Sequence, residues 1–251
     1  MVSANRLNNQ IEIFDNDTQL VEALAQRFEE LAAAAIKERG RFIVSLSGGS
    51  TPKIFYERLA EKPYAAKIAW DKVLFFLGDE RCVAHDHPDS NFGMIKRALF
   101  SKVPIPDGNI FPTVNQDKDP DQAARQYEET LRRAFKCGDD EVPNFDLILL
   151  GLGPDGHTAS LFPETKALKE FKKLYVANFI PKFDGNRLTM TYPLIDAGRQ
   201  IYFIVTGDTK ASILKDVLEK PDRQLPSQVV QPRSGNLGWL LDRAAVRLLK
   251  Q

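Results

Sequence analysis

The sequence predicts an α/β fold, in which a Rossmann-like, mostly parallel and twisted sheet carries helices on both faces. Short and nearly unbroken apolar runs at 41–46, 73–77, 145–150 and 200–207 are typical of strands that are covered on both sides. Segments with helical spacing of apolar residues separate these runs, which favours parallel strands joined by crossover helices. Each run also leads into a polar segment, at the sheet edge where open α/β sheets bind ligands.

The remaining elements follow from spacing and capping. Helices are predicted from Leu20 to Gly40, from Thr51, from about Asn91 to Phe100, from Pro120 to about Phe135, from near Asp208 to Pro221, and from Asp242 to Leu249. Shorter strands are predicted at 11–14, 109–114, 174–180, 187–192 and 237–241, of which 174–180 and 187–192 are expected to pair. Thr51 is expected to cap the second helix, and 226–232 is expected to be a loop.

Length and composition restrict the class of protein. The 251 residues contain no internal repeat or low-complexity tract, so we expect one domain over 1–251. Lys plus Arg and Asp plus Glu number 34 each, so no global field attracts nucleic acid or an anionic membrane. Residues 1–10 lack the apolar core of a secretory signal, and the two cysteines form no zinc spacing. We therefore expect a cytoplasmic protein without a metal or membrane partner.

The polar segment after the strand 41–46 is a candidate phosphate site. It places Gly48, Gly49, Ser50 and Thr51 at the amino terminus of a predicted helix, where backbone N–H groups favour anions. The segment lacks the P-loop pattern, and 45–49 lacks the first glycine of a nucleophile elbow. A phosphate-binding or capping role is therefore favoured over a serine nucleophile.

Three further strand ends supply charged groups. Asp79 and Arg81 follow the strand 73–77, while Asp155 and His157 lie in the glycine-rich segment 151–157. Lys210 is expected in the first turn of a helix, where the helix dipole disfavours a cation unless an anion lies nearby. The sequence therefore predicts that these groups converge with the phosphate segment on one crevice.

Several alternatives compete with this interpretation. Residues 151–156 match the dinucleotide fingerprint, but Asp155 would place a carboxylate beside a pyrophosphate, and the acidic residue about 20 positions on, Glu170, lies before a strand rather than after one. His85 and His87, with neighbouring aspartates, could be drawn as a metal site, although a solvated loop is the better interpretation. The sequence leaves open whether Arg187 binds a ligand or pairs at the surface.

Four segments together resemble the 6-phosphogluconolactonase family. They are 47–52 (Ser-Gly-Gly-Ser-Thr-Pro), 78–81 (Gly-Asp-Glu-Arg) with 90–91 (Ser-Asn) after it, 151–163 (Gly-Leu-Gly-Pro-Asp-Gly-His-Thr-Ala-Ser-Leu-Phe-Pro) and 206–211 (Thr-Gly-Asp-Thr-Lys-Ala). They span almost the whole chain in the right order. The related glucosamine-6-phosphate deaminases typically read Ile-Ala-Phe-Asn-Glu-Pro where this chain has Thr-Ala-Ser-Leu-Phe-Pro at 158–163. That departure favours the lactonase.

The resemblance implies hydrolysis of 6-phospho-D-glucono-1,5-lactone to 6-phosphogluconate, a step of the oxidative pentose phosphate pathway, by a cofactor-independent enzyme. The reaction needs an activated water, a stabilised oxyanion and a proton for the departing ring oxygen. His157 would be the general base, with Asp155 or a neighbouring carboxylate to orient it. The Gly48 and Gly49 N–H groups could face the developing oxyanion.

The same resemblance implies how the sugar phosphate is held. Arg81, Lys210 and the helix start at Ser50 and Thr51 would bind the phosphate, with Arg187 as a weaker candidate. Asp79 is counted with these substrate-binding residues, and a monomer is the family expectation. A deaminase, a nicotinamide dehydrogenase and a sugar-phosphate-binding regulator without catalytic activity remain the rival functions.

Overall fold

The computed structural model describes residues 10–113 and 119–250. Its strands are β1 (Gln10–Phe14), β2 (Phe42–Leu46), β3 (Val73–Leu77), β4 (Asp79–Arg81), β5 (Ile110–Phe111), β6 (Leu147–Leu150), β7 (Tyr175–Ile180), β8 (Gly185–Met190), β9 (Gln200–Val205) and β10 (Asn236–Asp242). Its helices are α1 (Asp17–Arg39), α2 (Ser50–Leu59), α3 (Tyr64–Lys67), α4 (Asn91–Ile95), α5 (Pro120–Phe135), α6 (Tyr192–Ile195), α7 (Ala211–Glu219), α8 (Pro226–Val229) and α9 (Arg243–Val246). Residues 1–9, most of the stretch examined for a secretory signal, and Val114 of the predicted strand 109–114 lie outside the described residues.

The central sheet has seven strands in the order β1-β10-β9-β6-β2-β3-β5, and every neighbouring pair is parallel. A second sheet of three antiparallel strands has the order β4-β8-β7. The predicted α/β class and parallel sheet are therefore confirmed. The predicted pairing of the strands at 174–180 and 187–192 is also confirmed, as β7 with β8.

Helices cover both faces of the central sheet. Along β2, Val44 belongs to an apolar cluster that includes α1 and α2, while its neighbour Ile43 belongs to a second cluster with α5 and α7. All five residues of β2 are buried, because successive side chains enter opposite layers. The two layers leave the ends of the parallel strands as the places where polar side chains can gather.

The fifth helix begins and ends where the sequence predicts, whereas the first ends as predicted at Gly40 but begins at Asp17, three residues before the predicted Leu20. Asn16 caps α1 by accepting a hydrogen bond from the Gln19 N–H at 2.9 Å, and Gly40 ends it in a left-handed conformation with φ of 76°. Asp119 caps α5, with Pro120 in its first turn. The effects of Gly40, Asp119 and Pro120 are local, which is why these residues suffice to locate the boundaries that they mark.

Three local predictions are wrong. Gly49 occupies the cap position of α2, and the hydroxyl of Thr51 instead forms a 2.6 Å hydrogen bond with that of Thr206. Residues 226–229 form α8 because Pro226 suits a first helical position and the Gln228 side chain accepts a hydrogen bond from Leu225 N–H. The terminal helix stops at Val246 rather than Leu249, although Asp242 caps it as predicted.

The 78–81 segment also differs from a simple loop at a strand end. Residues 79–81 form β4, which lies outside the central sheet and pairs with β8 in the second sheet.

No helix among residues 10–113 and 119–250 is long and apolar enough to cross a membrane. Both cysteines, Cys82 and Cys137, are free thiols.

Candidate active site

A crevice of about 370 Å³ opens at the carboxyl edge of the central sheet. It lies among the segments that follow β2, β3, β6 and β9, so the four strand ends meet as the sequence predicts. Nine of the ten predicted site residues line it: Gly48, Gly49, Ser50, Thr51, Asp79, Arg81, His157, Arg187 and Lys210. The tenth, Asp155, lies behind His157 and contacts its ring.

Glycines place His157 at the wall of this crevice. The segment after β6 turns back on itself, since Gly153 N–H donates to the carbonyl of His157 at 2.8 Å and Gly156 N–H donates to that of Gly153 at 3.0 Å. A Cβ on Gly153 would overlap the imidazole ring of His157. Gly156 has φ of 81°, and a Cβ there would also crowd Leu225. Both positions therefore need glycine for the imidazole to lie where it does.

His157 and Asp155 form a hydrogen-bonded pair. The distance from His157 Nδ1 to Asp155 Oδ1 is 2.5 Å, and the backbone N–H of His157 donates to the same oxygen at 3.3 Å. On the other side, the imidazole stacks on Phe162 with ring centroids 3.8 Å apart. These contacts fix the ring and engage Nδ1, which leaves Nε2 as the nitrogen for a bound molecule or water.

Burial and charge set the protonation of the pair. Burial lowers the pKa of His157, although the hydrogen bond to Asp155 and its charge act in the opposite direction. Burial alone would raise the pKa of Asp155, but the hydrogen bond and charge of His157 prevail, so this pKa is lowered. At neutral pH the pair is therefore a carboxylate beside a neutral imidazole, the form that can accept a proton.

Two arginines of the crevice lie on neighbouring strands. Arg81 on β4 and Arg187 on β8 are directly opposite each other in the antiparallel pair. Like charges in that position repel, and burial together with the charge of Arg81 lowers the pKa of Arg187. Arg81 donates to the carbonyl of Asp89, while its Nε is buried without a hydrogen-bond partner. Such a pair is suited to an anion that would satisfy both guanidinium groups.

A third cation lies beside the start of α2. Lys210 Nζ donates to the carbonyl of Leu152 at 2.8 Å, and burial lowers the pKa of this lysine against the opposing effect of Asp155. The Thr51–Thr206 hydrogen bond ties the first turn of α2 to the segment that carries Lys210. No side chain caps α2, so its first N–H groups remain available.

Two polar residues that the sequence did not single out hold Asp79 in place. Asn91 Nδ2 donates to Asp79 Oδ1 at 3.3 Å, and Ser160 Oγ donates to Asp79 Oδ2 at 2.7 Å. Both residues also line the crevice. They lie in segments that carry the family resemblance, but their meeting at Asp79 depends on tertiary contacts that spacing does not reveal.

Glu80 takes a structural role rather than a place in the crevice. It is fully buried, and its carboxylate accepts hydrogen bonds from the backbone N–H groups of Asn91 at 2.8 Å and Phe92 at 2.7 Å. Burial raises its pKa, partly offset by these donors. Glu80 therefore fixes the start of α4 beneath the crevice.

The rival sites find little support in the geometry. No cluster of three or more metal-ligating residues occurs within the described ranges, and His85 Nε2 bonds the carbonyl of Thr113 at 2.9 Å. Ser47 Oγ is buried without a hydrogen-bond partner, so Ser47 forms no serine–histidine pair with His157. Residues 151–156 open no helix, which a dinucleotide fingerprint requires to bind pyrophosphate.

Comparisons with known proteins agree with the fold. A family model described as glucosamine-6-phosphate isomerases/6-phosphogluconolactonase matches residues 15–239. The 6-phosphogluconolactonase of a Nostoc species is 42% identical over 238 residues, covering 94% of this chain and 96% of the relative. The human 6-phosphogluconolactonase is 40% identical over 246 residues, covering 95% of this chain and 93% of that protein.

Solved structures give the same result. A 6-phosphogluconolactonase from Trypanosoma cruzi has a TM-score of 0.87 at 27% identity, covering 98% of both chains. A monomeric glucosamine-6-phosphate deaminase has a TM-score of 0.76 at 20% identity, covering 95% of this chain and 99% of that one. The similarity to this deaminase concerns the fold alone.

Proposed function

This chain belongs to the glucosamine-6-phosphate isomerase/6-phosphogluconolactonase family, and we propose that it hydrolyses 6-phospho-D-glucono-1,5-lactone to 6-phospho-D-gluconate. It is a hydrolase that acts on a sugar lactone, as its relatives' names state, and it serves the oxidative pentose phosphate pathway. The observation that carries the proposal is an imidazole hydrogen-bonded to a carboxylate at a crevice that is also lined by Arg81, Arg187 and Lys210.

His157 acts as the general base. With Nδ1 engaged by Asp155, Nε2 takes a proton from the water that attacks the lactone carbonyl, and the imidazolium then returns a proton to the departing ring oxygen. Asp155 holds the tautomer and stabilises the imidazolium. A positioned base of this kind contributes about 10²–10⁴ in rate.

Lys210, Arg81 and the first turn of α2 bind the 6-phosphate, and Ser50 and Thr51 provide that turn's backbone and hydroxyl donors. Lys210 and the helix start lie on adjoining segments, which suits a dianion at the helix amino terminus. Arg187 adds positive charge beside Arg81.

The remaining groups hold the sugar and the oxyanion. The N–H groups of Gly48 and Gly49 face the developing oxyanion, a contact whose loss typically costs about 3–4 kcal/mol. Asp79, fixed by Asn91 and Ser160, accepts hydrogen bonds from sugar hydroxyl groups. No resident cofactor is needed for these steps, and we expect a single-domain monomer that acts in the cytoplasm.

The proposal is tested with freshly generated 6-phosphogluconolactone, by following acid release with and without the protein. We expect hydrolysis well above the spontaneous rate, and inhibition by excess 6-phosphogluconate. A rate equal to the spontaneous one would reject the proposal. Ammonia release from glucosamine 6-phosphate under the same conditions would favour the deaminase instead.

A further inference from the structure

We propose that the tip of the β7–β8 hairpin positions the His157–Asp155 pair, with Lys182 holding Asp155 and Phe183 supporting His157 through Phe162. The hairpin tip is defined here as residues 181–184, which connect the two strands. This inference rests on the proposed function, because it assigns Lys182 and Phe183 as positioning residues for the same reaction.

The hairpin tip is anchored close to the crevice. Its last paired residues are Ile180 and Gly185, and a turn follows in which Asp184 N–H donates to the carbonyl of Pro181 at 3.2 Å. Strand β8 also pairs with β4, which carries Asp79 and Arg81. The sheet that forms one wall of the crevice therefore also holds the tip.

Lys182 completes the surroundings of the Asp155 carboxylate. Its Nζ lies 3.7 Å from Asp155 Oδ2, while Oδ1 accepts the hydrogen bond of His157. His157 therefore contacts one carboxylate oxygen of Asp155 and Lys182 contacts the other. Together the two contacts restrain rotation of the carboxylate. The lysine side chain is 57% exposed, so solvent screens its charge and its effect on the pair is modest.

Phe183 reaches the imidazole through a second ring. It meets Phe162 edge to face, with centroids 5.8 Å apart and an interplanar angle of 83°, and Phe162 in turn stacks on His157. Phe183 remains 50% exposed but lines the crevice, and the Arg187 guanidinium lies over its ring at 5.3 Å. One short turn thus supports both members of the pair.

The charges around His157 give the sign of the expected effect. Asp155 on its own loop and Asp79 on β4 favour the imidazolium, whereas Lys210 before α7 opposes it. Lys182 partly neutralises the charge of Asp155. Without the lysine, the Asp155 carboxylate stabilises the imidazolium form of His157 more strongly. Removal of this lysine therefore raises the pKa of His157.

The first test measures that pKa directly by NMR. The chain has three histidines, so the titrating imidazole signal of His157 is identified by its loss in His157→Ala. We expect Lys182→Met to raise the pKa by roughly 0.2–0.5 unit and to move the acidic limb of the kcat/KM profile upward equally. Lys182→Arg should restore the original value.

Lys67→Met is the matched control. Lys67 forms a similar exposed ion pair with Glu29 at 3.5 Å, with 56% of its side chain exposed, between α3 and α1. Equal His157 pKa values in the Lys182→Met and Lys67→Met proteins would overturn the role of Lys182. This readout needs no turnover, so it separates failure of the positioning role from failure of the proposed function.

The second test compares two exposed phenylalanines of the same hairpin. Phe183→Ala should lower kcat by about three- to tenfold because the imidazole loses its support, and Phe183→Leu should recover part of the rate. Phe179→Ala, which removes a ring of 49% exposure from β7, should change kcat by less than twofold. Equal kcat values for Phe183→Ala and Phe179→Ala would overturn the role of Phe183.

Discussion

Two clefts lie at opposite edges of the central sheet, and both contain several charged residues. The crevice at the carboxyl edge has a volume of about 370 Å³. The cleft at the amino edge, where β2, β6 and β9 begin, has about 510 Å³ and is lined by Arg39, Arg41, Asp146 and Arg199 among others. Size and charge alone would therefore not identify the binding site.

Asp146 and the three arginines of the amino-edge cleft have protein partners. Asp146 accepts a hydrogen bond from Ile43 N–H at 2.8 Å and forms ion pairs with Arg39 at 2.9 Å and Arg199 at 3.5 Å. Arg41 donates to the carbonyl of Ala134 at 3.0 Å. These contacts join the starts of three strands, so the amino-edge cleft is best understood as a structural junction.

The carboxyl-edge crevice is built in the opposite way. Arg81 and Arg187 face each other across the β4–β8 pair, and among the described residues Ser47 Oγ and Arg81 Nε are buried without partners. Buried polar groups without partners are costly unless a ligand or water satisfies them. The difference teaches that the pairing of polar groups, rather than cavity size, identifies the binding site.

Among changes at the carboxyl-edge crevice, loss of the His157 imidazole should cause the largest fall in activity. We expect His157→Ala to lower kcat/KM for lactone hydrolysis by about 10²–10⁴, measured by acid release after subtraction of the spontaneous rate. Circular dichroism should show an unchanged fold, because the side chain belongs to neither apolar cluster. Full activity in this variant would contradict the assignment of the base.

Displacement of the His157 imidazole should have the second-largest effect on activity. Gly153→Ala places a methyl group where the imidazole of His157 lies, so we expect a loss of up to about 10² in kcat. Gly151→Ala is the matched control, since a Cβ there meets no atom within 4 Å. Equal activities of the two variants would show that the position of the ring is not critical.

Removal of the cation beside α2 should weaken substrate binding. Lys210→Met should raise KM by roughly 10- to 100-fold, the usual effect of losing a charge-assisted hydrogen bond, with a smaller change in kcat. Inhibition constants for 6-phosphogluconate, obtained from initial rates, should rise in parallel. An unchanged KM would place the phosphate elsewhere in the crevice.

The amino-edge cleft should respond in stability rather than in activity. Asp146→Ala removes the acceptor that joins Ile43, Arg39 and Arg199, and we expect a loss of about 1–3 kcal/mol in the free energy of unfolding. Urea denaturation measures this loss, while kcat per folded molecule should remain within about twofold. A large fall in kcat with unchanged stability would contradict the contrast between the two edges.

The sequence predicted the parts of this molecule that depend on local patterns. Apolar runs located the central strands, and Gly40, Asp119 and Pro120 marked helix ends. The gathering of four strand ends on one crevice was also predicted, because parallel strands place their carboxyl ends at a common edge.

Predictions that depended on distant partners were less complete. Thr51 was expected to cap its helix, but its hydroxyl finds Thr206, 155 positions along the chain. The support of Asp79 by Asn91 and Ser160 requires segments that spacing cannot bring together. The pairing of Arg81 with Arg187 likewise depends on a β4–β8 register that no short motif specifies.

The central claim, that His157 and the cations at the carboxyl edge bind the substrate, is tested most directly by a crystal structure with 6-phosphogluconate bound. We predict the phosphate beside Lys210 and the start of α2, with the carboxylate within hydrogen-bond distance of His157 Nε2. Ligand found instead in the amino-edge cleft, or bound in the crevice with its carboxylate far from His157, would contradict the account.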